Sequence, residues 1–254
     1  MLDFIATSNL EESNFSFILN NIFSSVLKKS YGNYFSLRNA LDKKDFKTVG
    51  QVIGEENNFD FVKSCLEDVN SRFFNSPFEL EHSLNLMALT YVYCIHHNFD
   101  SRNLLKWSLG ALYHDIGKST IDPGLLEKSG RYTSEEHDFV KSEHIKKGMK
   151  IISGFKDFEI NLENAVRNAI IDHHEQLDGS GYPSGKRSEN ISNIGKFLAI
   201  ADVYQALTGR RTYKQINSPD FALSFLNSGV EMGKYDRNFF RGFVSVLSEE
   251  GILN

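Results

Sequence analysis

The segment from Ile191 to Gly209, ISNIGKFLAIADVYQALTG, constrains the fold more than any other. Ile194, Phe197, Leu198, Ile200, Val203, Tyr204 and Leu207 follow helical spacing and leave little polar surface, so this helix must be largely buried. Asp202 lies inside the run. A carboxylate removed from water is costly unless it is ion-paired or bound to a metal. The chain must therefore pack helices around at least one buried polar site. An internal salt bridge and a metal ligand are the two readings open at this point.

Other segments repeat the helical spacing. Four prolines in 254 residues, with 41% hydrophobic and 24% charged content, favour an all-α soluble fold over a β plan with many turns. ELEHSLNLMALTYVYCIHH is an apolar helix carrying His82 near its start. SRNLLKWSLGALYHD is expected to begin on Ser101 as its N-cap and to end at His114-Asp115. TSEEHDFVKSEHIKKGMKII opens with Thr133 and Glu136 at capping-box spacing and carries His144 in its middle. ENAVRNAIIDHHE is a helix expected to end in His173-His174. SPDFALSFLNSG and RNFFRGFVSVLSEE close the chain as amphipathic helices. Before about residue 75, NFSFILNNIFSSVLKK (14–29) and SLRNALDKKDFKTVGQVIG (36–54) also read as helices, without any catalytic motif. The expected division is a helical N-terminal region, 1–75, whose role would be to dock a protein partner or pack on the rest, and a second domain over 76–254.

Composition excludes several classes. A net charge of −5 argues against binding a nucleic-acid polymer. No uncharged apolar run reaches the roughly 18 residues that span a bilayer, and the first residues lack a basic segment followed by an apolar core. Cys65 and Cys94 stand far apart with no CxxC, the usage of ordinary reduced thiols, so the cytoplasm is the expected location.

Chemistry concentrates in a few residues. His114 and Asp115 offer an imidazole nitrogen and a carboxylate from adjacent positions, and a carboxylate has two oxygens with which to bridge two cations. Lys118 follows within a turn, where it would face a phosphoryl oxygen or simply solvent. His173 and His174 diverge by about 100° if both are helical, which suits two neighbouring ions better than one. His144 is open to a second reading as a satisfied core histidine. His96-His97 and His137 read as surface. Five of the eight histidines, together with Asp115 and Asp202, fall on separate helices of one region. Imidazole and carboxylate together suit iron, manganese, zinc or nickel, and no cysteine is placed to make a thiolate zinc site. Two such ions about 3.5–4 Å apart can clamp an in-line phosphoryl displacement. Arg210, Arg211 and Lys214 form a basic cluster on an acidic chain; the alternative for it is the preference of helix C-termini for cations.

The order His82, HDIGK (114–118), His144, HHE (173–175), DGSGYP (178–183), Asp202 resembles the HD-GYP family, a branch of the HD-domain metal-dependent phosphohydrolases, over about residues 78–245. HHEQLDGSGYP followed by ADVYQALTGRRTYK carries the narrower match. The resemblance implies an HD-type helical bundle over 76–254 and hydrolysis of cyclic di-GMP to pGpG, and onward to GMP. It implies two divalent metal ions, iron first, with manganese, nickel or zinc as alternatives. The ligands would be His82, His114, Asp115, His144, His173, His174 and Asp202, with Asp115 bridging the ions and a hydroxide between them attacking phosphorus. Lys118 would steady the phosphate that gains charge in the transition state. Gly181, Tyr182, Arg211 and Lys214 would hold the dinucleotide, Tyr182 against a guanine or ribose. The chain departs from the family at Gln205 (commonly aspartate), Thr212 (proline) and Lys196 (arginine). Members with three metals carry a glutamate at the position of Phe78; Glu79 is one residue off, so two ions are expected. The alternatives are a weakly catalytic receptor or scaffold for a cyclic dinucleotide, and a hydrolase of another cyclic dinucleotide.

Overall fold

The structure, a computed structural model, describes residues 59–128, 130–155, 160–209, 217–250 and 253. The helices expected over 14–29 and 36–54, and the residues Arg210, Arg211, Thr212 and Lys214, lie outside the described residues.

The all-α expectation holds. Among the described residues there are nine α-helices and no strand, only one isolated bridge between Asp178 and Arg187. In chain order they are α1 (Phe59–Arg72), α2 (Pro77–His96), α3 (Ser101–Tyr113), α4 (Pro123–Leu126), α5 (Ser134–Ile152), α6 (Ile160–Asp172), α7 (Asn193–Thr208), α8 (Pro219–Glu231) and α9 (Arg237–Glu249). Short 3-10 turns cover Ile116–Thr120 and Ser188–Asn190. None of the described helices is long and apolar enough to cross a membrane.

Local chemistry sets the helix ends. Pro77 and Pro219 occupy first turns, where a missing N–H costs nothing. Thr133 and Glu136 form the expected capping box, each side chain taking the other's backbone N–H. The cap of α3 is Asp100 rather than Ser101: its carboxylate accepts from Asn103 N at 2.8 Å and from Asn103 Nδ2 at 2.7 Å. An ionised acceptor also complements the positive end of the helix dipole, which a hydroxyl does only weakly.

Helix α2 packs along α3, α3 along α6, and α6 along α7, while α7 also reaches α2, α8 and α9. Phe197 of α7 and Phe243 of α9 are fully buried in the shared core. Cys65, Val69 and Phe73 of the α1 segment enter the same core, and Tyr113 Oη donates to the carbonyl of Cys65 at 3.3 Å. Cys65 and Cys94 are buried free thiols, and burial pushes each up to about 12. The 3-10 turn 116–120 lies directly on α5. A Cβ at Gly117 would run into the carbonyl of His144 and the backbone of Gly148, so glycine permits the approach that sets Asp115 beside His144.

Candidate metal centre

Five elements deliver the site. His82 comes from the first turns of α2, His114 and Asp115 from the end of α3, and His144 from the middle of α5. His173 and His174 follow α6, and Asp202 comes from α7. All but His174 are buried. Each of these seven residues was expected from the sequence, and the structure brings all seven together.

Asp115 is the hub, with one oxygen for each half of the cluster. Its Oδ2 lies 3.2 Å from His114 Nε2 and 3.7 Å from His82 Nε2. Its Oδ1 lies 3.6 Å from His173 Nε2 and 3.7 Å from His144 Nε2. Two groups of donor atoms result, each within 4.8 Å internally: His82, His114 and Asp115; and Asp115, His144, His173 and His174. Asp202 closes the other side, with Oδ1 3.0 Å from His82 Nε2 and Oδ2 4.0 Å from His174 Nδ1.

The expected divergence of His173 and His174 is not found. The α-helix ends at Asp172, the pair lies in the turn beyond it, and their ring centroids are 4.0 Å apart. The 100° step belongs to continuous helix, so both rings join the same group of donors.

Hydrogen bonds fix the tautomers. Nδ1 of His114 donates to Ala111 O at 2.7 Å, that of His144 to Val140 O at 2.7 Å, and that of His173 to Ala169 O at 2.8 Å. A carbonyl only accepts, so each Nδ1 carries the hydrogen and each Nε2 turns its lone pair to the centre. Asp115 Oδ1, His144 Nε2 and His173 Nε2 are buried without a hydrogen-bond partner. Orphaned buried acceptors are rare because they are costly. Three of them converging, two imidazole nitrogens and one carboxylate oxygen, fit a divalent cation, and this donor set suits a transition metal.

The electrostatics agree. Burial works against ionising Asp115, but Lys118 and His114 outweigh it and hold its carboxyl well below the usual range. Asp202 is likewise lowered against burial, mainly through its hydrogen bond to His82. Burial lowers His144 to about 4 and holds His174 well below its ordinary value. His82 goes the other way: burial opposes its charge, yet the Asp202 hydrogen bond and charge raise it.

Several neighbours were not legible as site residues. Gln205 Oε1 accepts from His82 Nδ1, so the amide at the departing position orients a candidate ligand. Lys118 Nζ sits 2.6 Å from Asp115 Oδ2 and 3.1 Å from Glu79 Oε2, which makes Glu79 a partner of the lysine. Asp172 and Glu175 flank the histidine pair and hold the loop after it. Glu175 accepts from the backbone of Ser184 at 2.7 Å and of Lys186 at 2.9 Å. Asp172 accepts from Lys186 Nζ at 2.6 Å and from Ser192 N at 2.9 Å. The available signal was two carboxylates at a helix C-terminus, where the dipole disfavours them unless they are otherwise engaged.

In that loop Asp178 accepts from Ser180 N at 2.9 Å and shapes the turn. A Cβ at Gly181 would collide with the backbone of Glu175 and Gln176. The Tyr182–Pro183 bond is cis. Tyr182 is half-buried, its ring stacked on His174 with centroids 4.5 Å apart, and its N–H donates to His174 O at 3.1 Å. Burial pushes its phenol upward, so the hydroxyl stays a neutral donor.

The cluster is a buried His/Asp donor set that could hold metal ions, and comparison with known families places the chain. The HD domain model matches residues 65–239, and the chain belongs to that family. The chain is 32% identical over 139 residues to the cyclic di-GMP phosphodiesterase PA4108 of Pseudomonas aeruginosa, covering 55% of this chain and 32% of that one. It is 36% identical over 118 residues to the cyclic di-GMP phosphodiesterase response regulator RpfG of Xanthomonas campestris, covering 46% and 30%. It is also 35% identical over 101 residues to the 3'3'-cGAMP-specific phosphodiesterase 2 of Vibrio cholerae, covering 40% and 19%. The matched region spans about a third or less of the length of these relatives. The solved structure of Bd1817, an HDG"Y"P protein from Bdellovibrio bacteriovorus, shares the fold with a TM-score of 0.56 at 16% identity, over 91% of this chain and 70% of that one.

Proposed function

We propose that the chain is a metal-dependent phosphodiesterase that opens cyclic di-GMP to pGpG, with GMP as the product of any second cleavage. The observation that carries this reading is the division of Asp115, one oxygen toward His82 and His114 and the other toward His144 and His173. That arrangement suits two ions sharing one carboxylate. Iron is the first expectation, with manganese, nickel or zinc as alternatives. When bound, such a pair supplies an activated water and the positive charge that phosphodiester cleavage needs.

The chain's own residues do the remainder. His82, His114, His144, His173, His174 and Asp202 would complete the metal shell, and hydrogen-bonded Nδ1 positions hold three of the rings, those of His114, His144 and His173, in the ligating tautomer. Lys118, half-buried beside Asp115, supplies a fixed cation for the phosphate oxygens as they gain charge. Gly181 lets the loop backbone lie close under the cluster, and Tyr182 presents a ring and a neutral hydroxyl to a guanine or ribose. Arg211 and Lys214 are assigned to the dinucleotide on their place in the RRTYK motif. Residues 1–75 are assigned to docking a protein partner or packing on the rest, the second being what Cys65, Val69 and Phe73 do, and the buried free thiols fit a cytoplasmic setting.

A second reading has its own support: a relative of similar identity is named for 3'3'-cGAMP. Rates on cyclic di-GMP and 3'3'-cGAMP, measured side by side on anaerobically purified protein of known metal content, decide between them. Faster release of pGpG is the expected result. Preference for 3'3'-cGAMP would move the substrate assignment, and binding without product would make the chain a receptor.

A further inference from the structure

Near the cluster, two lysines are committed to carboxylates: Lys118 to Asp115 and Glu79, and Lys186 to Asp172. Lys141 is different. It lies on α5 three residues before His144, so the two share one face of that helix. Its Nζ stands 4.6 Å from the centroid of the Tyr182 ring, it is half-buried, and among the described residues no carboxylate pairs with it. A cation is thus held by an aromatic face, at the edge of the site, with its hydrogen-bonding capacity unspent.

The proposed substrate class explains what such a cation does. A cyclic dinucleotide carries two phosphodiesters. Only one can sit at the His/Asp cluster during cleavage, where Lys118 already serves it. The other is a fixed negative charge away from the metals, and it needs a donor that no internal ion pair has neutralised. Resting on the reading above, we propose that Lys141 binds the second phosphate of the cyclic dinucleotide and thereby sets the preference for two-phosphate cyclic substrates. Tyr182 parks the ammonium in the free protein and offers its ring to the base when Lys141 turns to the phosphate. A cation–π contact is worth less than a charge-assisted hydrogen bond to phosphate, so the exchange favours the bound state.

The test uses full-length, metal-loaded protein and cyclic di-GMP, with Kd from calorimetry beside kcat and KM. Lys141→Met is expected to raise Kd and KM about tenfold, the usual worth of one hydrogen bond to a charged group, with kcat altered less than twofold. The salt dependence of Kd becomes shallower, because one screened charge contact is gone. Lys141→Arg restores most of the affinity, and Lys141→Gln repeats the loss in a second uncharged side chain. Wild-type Kd and salt dependence in Lys141→Met overturn the proposal, as does a loss confined to kcat, which would place the residue's effect on His144 or Tyr182 instead. Wild-type binding without turnover overturns the enzyme reading while the Kd comparison still decides Lys141. Failure of the wild type to bind cyclic di-GMP overturns both.

Discussion

Gln205 accepts the Nδ1 hydrogen of His82, tying α7 to α2 directly behind the His/Asp cluster. His82 is thereby gripped at both nitrogens, with Asp202 3.0 Å from the other. Partners behind a ligand imidazole commonly tune metal affinity by about 10–100-fold. Gln205→Leu is expected to weaken metal binding by that order and to lower stability by about 1–3 kcal/mol, because a buried donor loses its acceptor. Gln205→Asp, which restores the residue common in the family, retains the acceptor. Metal titration with thermal melting checks both, and an unchanged metal affinity in Gln205→Leu would show that the contact has no tuning role.

The pH dependence of the metal-free protein follows from three histidines. His144, lowered by burial to about 4, and His174, also lowered, stay neutral in the folded state while the unfolded chain takes up protons below about 6.5. Stability therefore falls as pH drops from 6.5 toward 4. His82, raised by Asp202 against burial, keeps its proton above 6.5 when the unfolded chain has released it, so stability also falls as pH rises through its folded value. Metal-free protein should melt highest near pH 6.5, with each mismatched proton contributing a slope of about 1.4 kcal/mol per pH unit. Metal removes the alkaline limb, since binding displaces the His82 proton. Melting curves from pH 5 to 9, with and without metal, measure this; an alkaline limb unaffected by metal would contradict it.

Glu175 links the histidine pair to the loop that carries Tyr182. Its two oxygens take two backbone N–H groups, and an amide can accept only one of them. Glu175→Gln should cost about 1.5–3 kcal/mol and raise KM for the dinucleotide more than it lowers kcat. Limited proteolysis within 176–192 should quicken in parallel. Loss of kcat at unchanged KM would place the carboxylate in the chemistry instead.

Gly117 lets the 3-10 turn after Asp115 rest on α5. Gly117→Ala forces a methyl group into backbone, and overpacking of this kind costs about 1–3 kcal/mol. The displacement falls on Asp115 and His144 together, so metal occupancy should drop with stability. A variant that melts like wild type and keeps its metal would refute the close contact.

Much of this was written in residue type and spacing. Asp202 inside an apolar run signals a buried polar site without any homologue, and five histidines spread over four helical segments signal what fills it. The helices were legible because tertiary packing and local pattern agree. What escaped depends on direction rather than spacing. Whether His173 and His174 diverge turns on where α6 stops, at Asp172 rather than in the histidine pair. Glu79 and Gln205 read as departures from the family motif, yet their side chains reach Lys118 and His82 across 39 and 123 residues, separations that no local pattern encodes. Lys141 is one of several lysines on a charged helix, and only the fold brings Tyr182 over it.

The central claim is that Asp115 joins two metal positions that together cleave a cyclic dinucleotide. Metal content and product release, measured on the same anaerobic preparations of wild type and Asp115→Ala, test it most directly. The account predicts two metal ions per wild-type chain with release of pGpG from cyclic di-GMP, and loss of both bound metal and linear product in Asp115→Ala. Undiminished turnover by Asp115→Ala would contradict it.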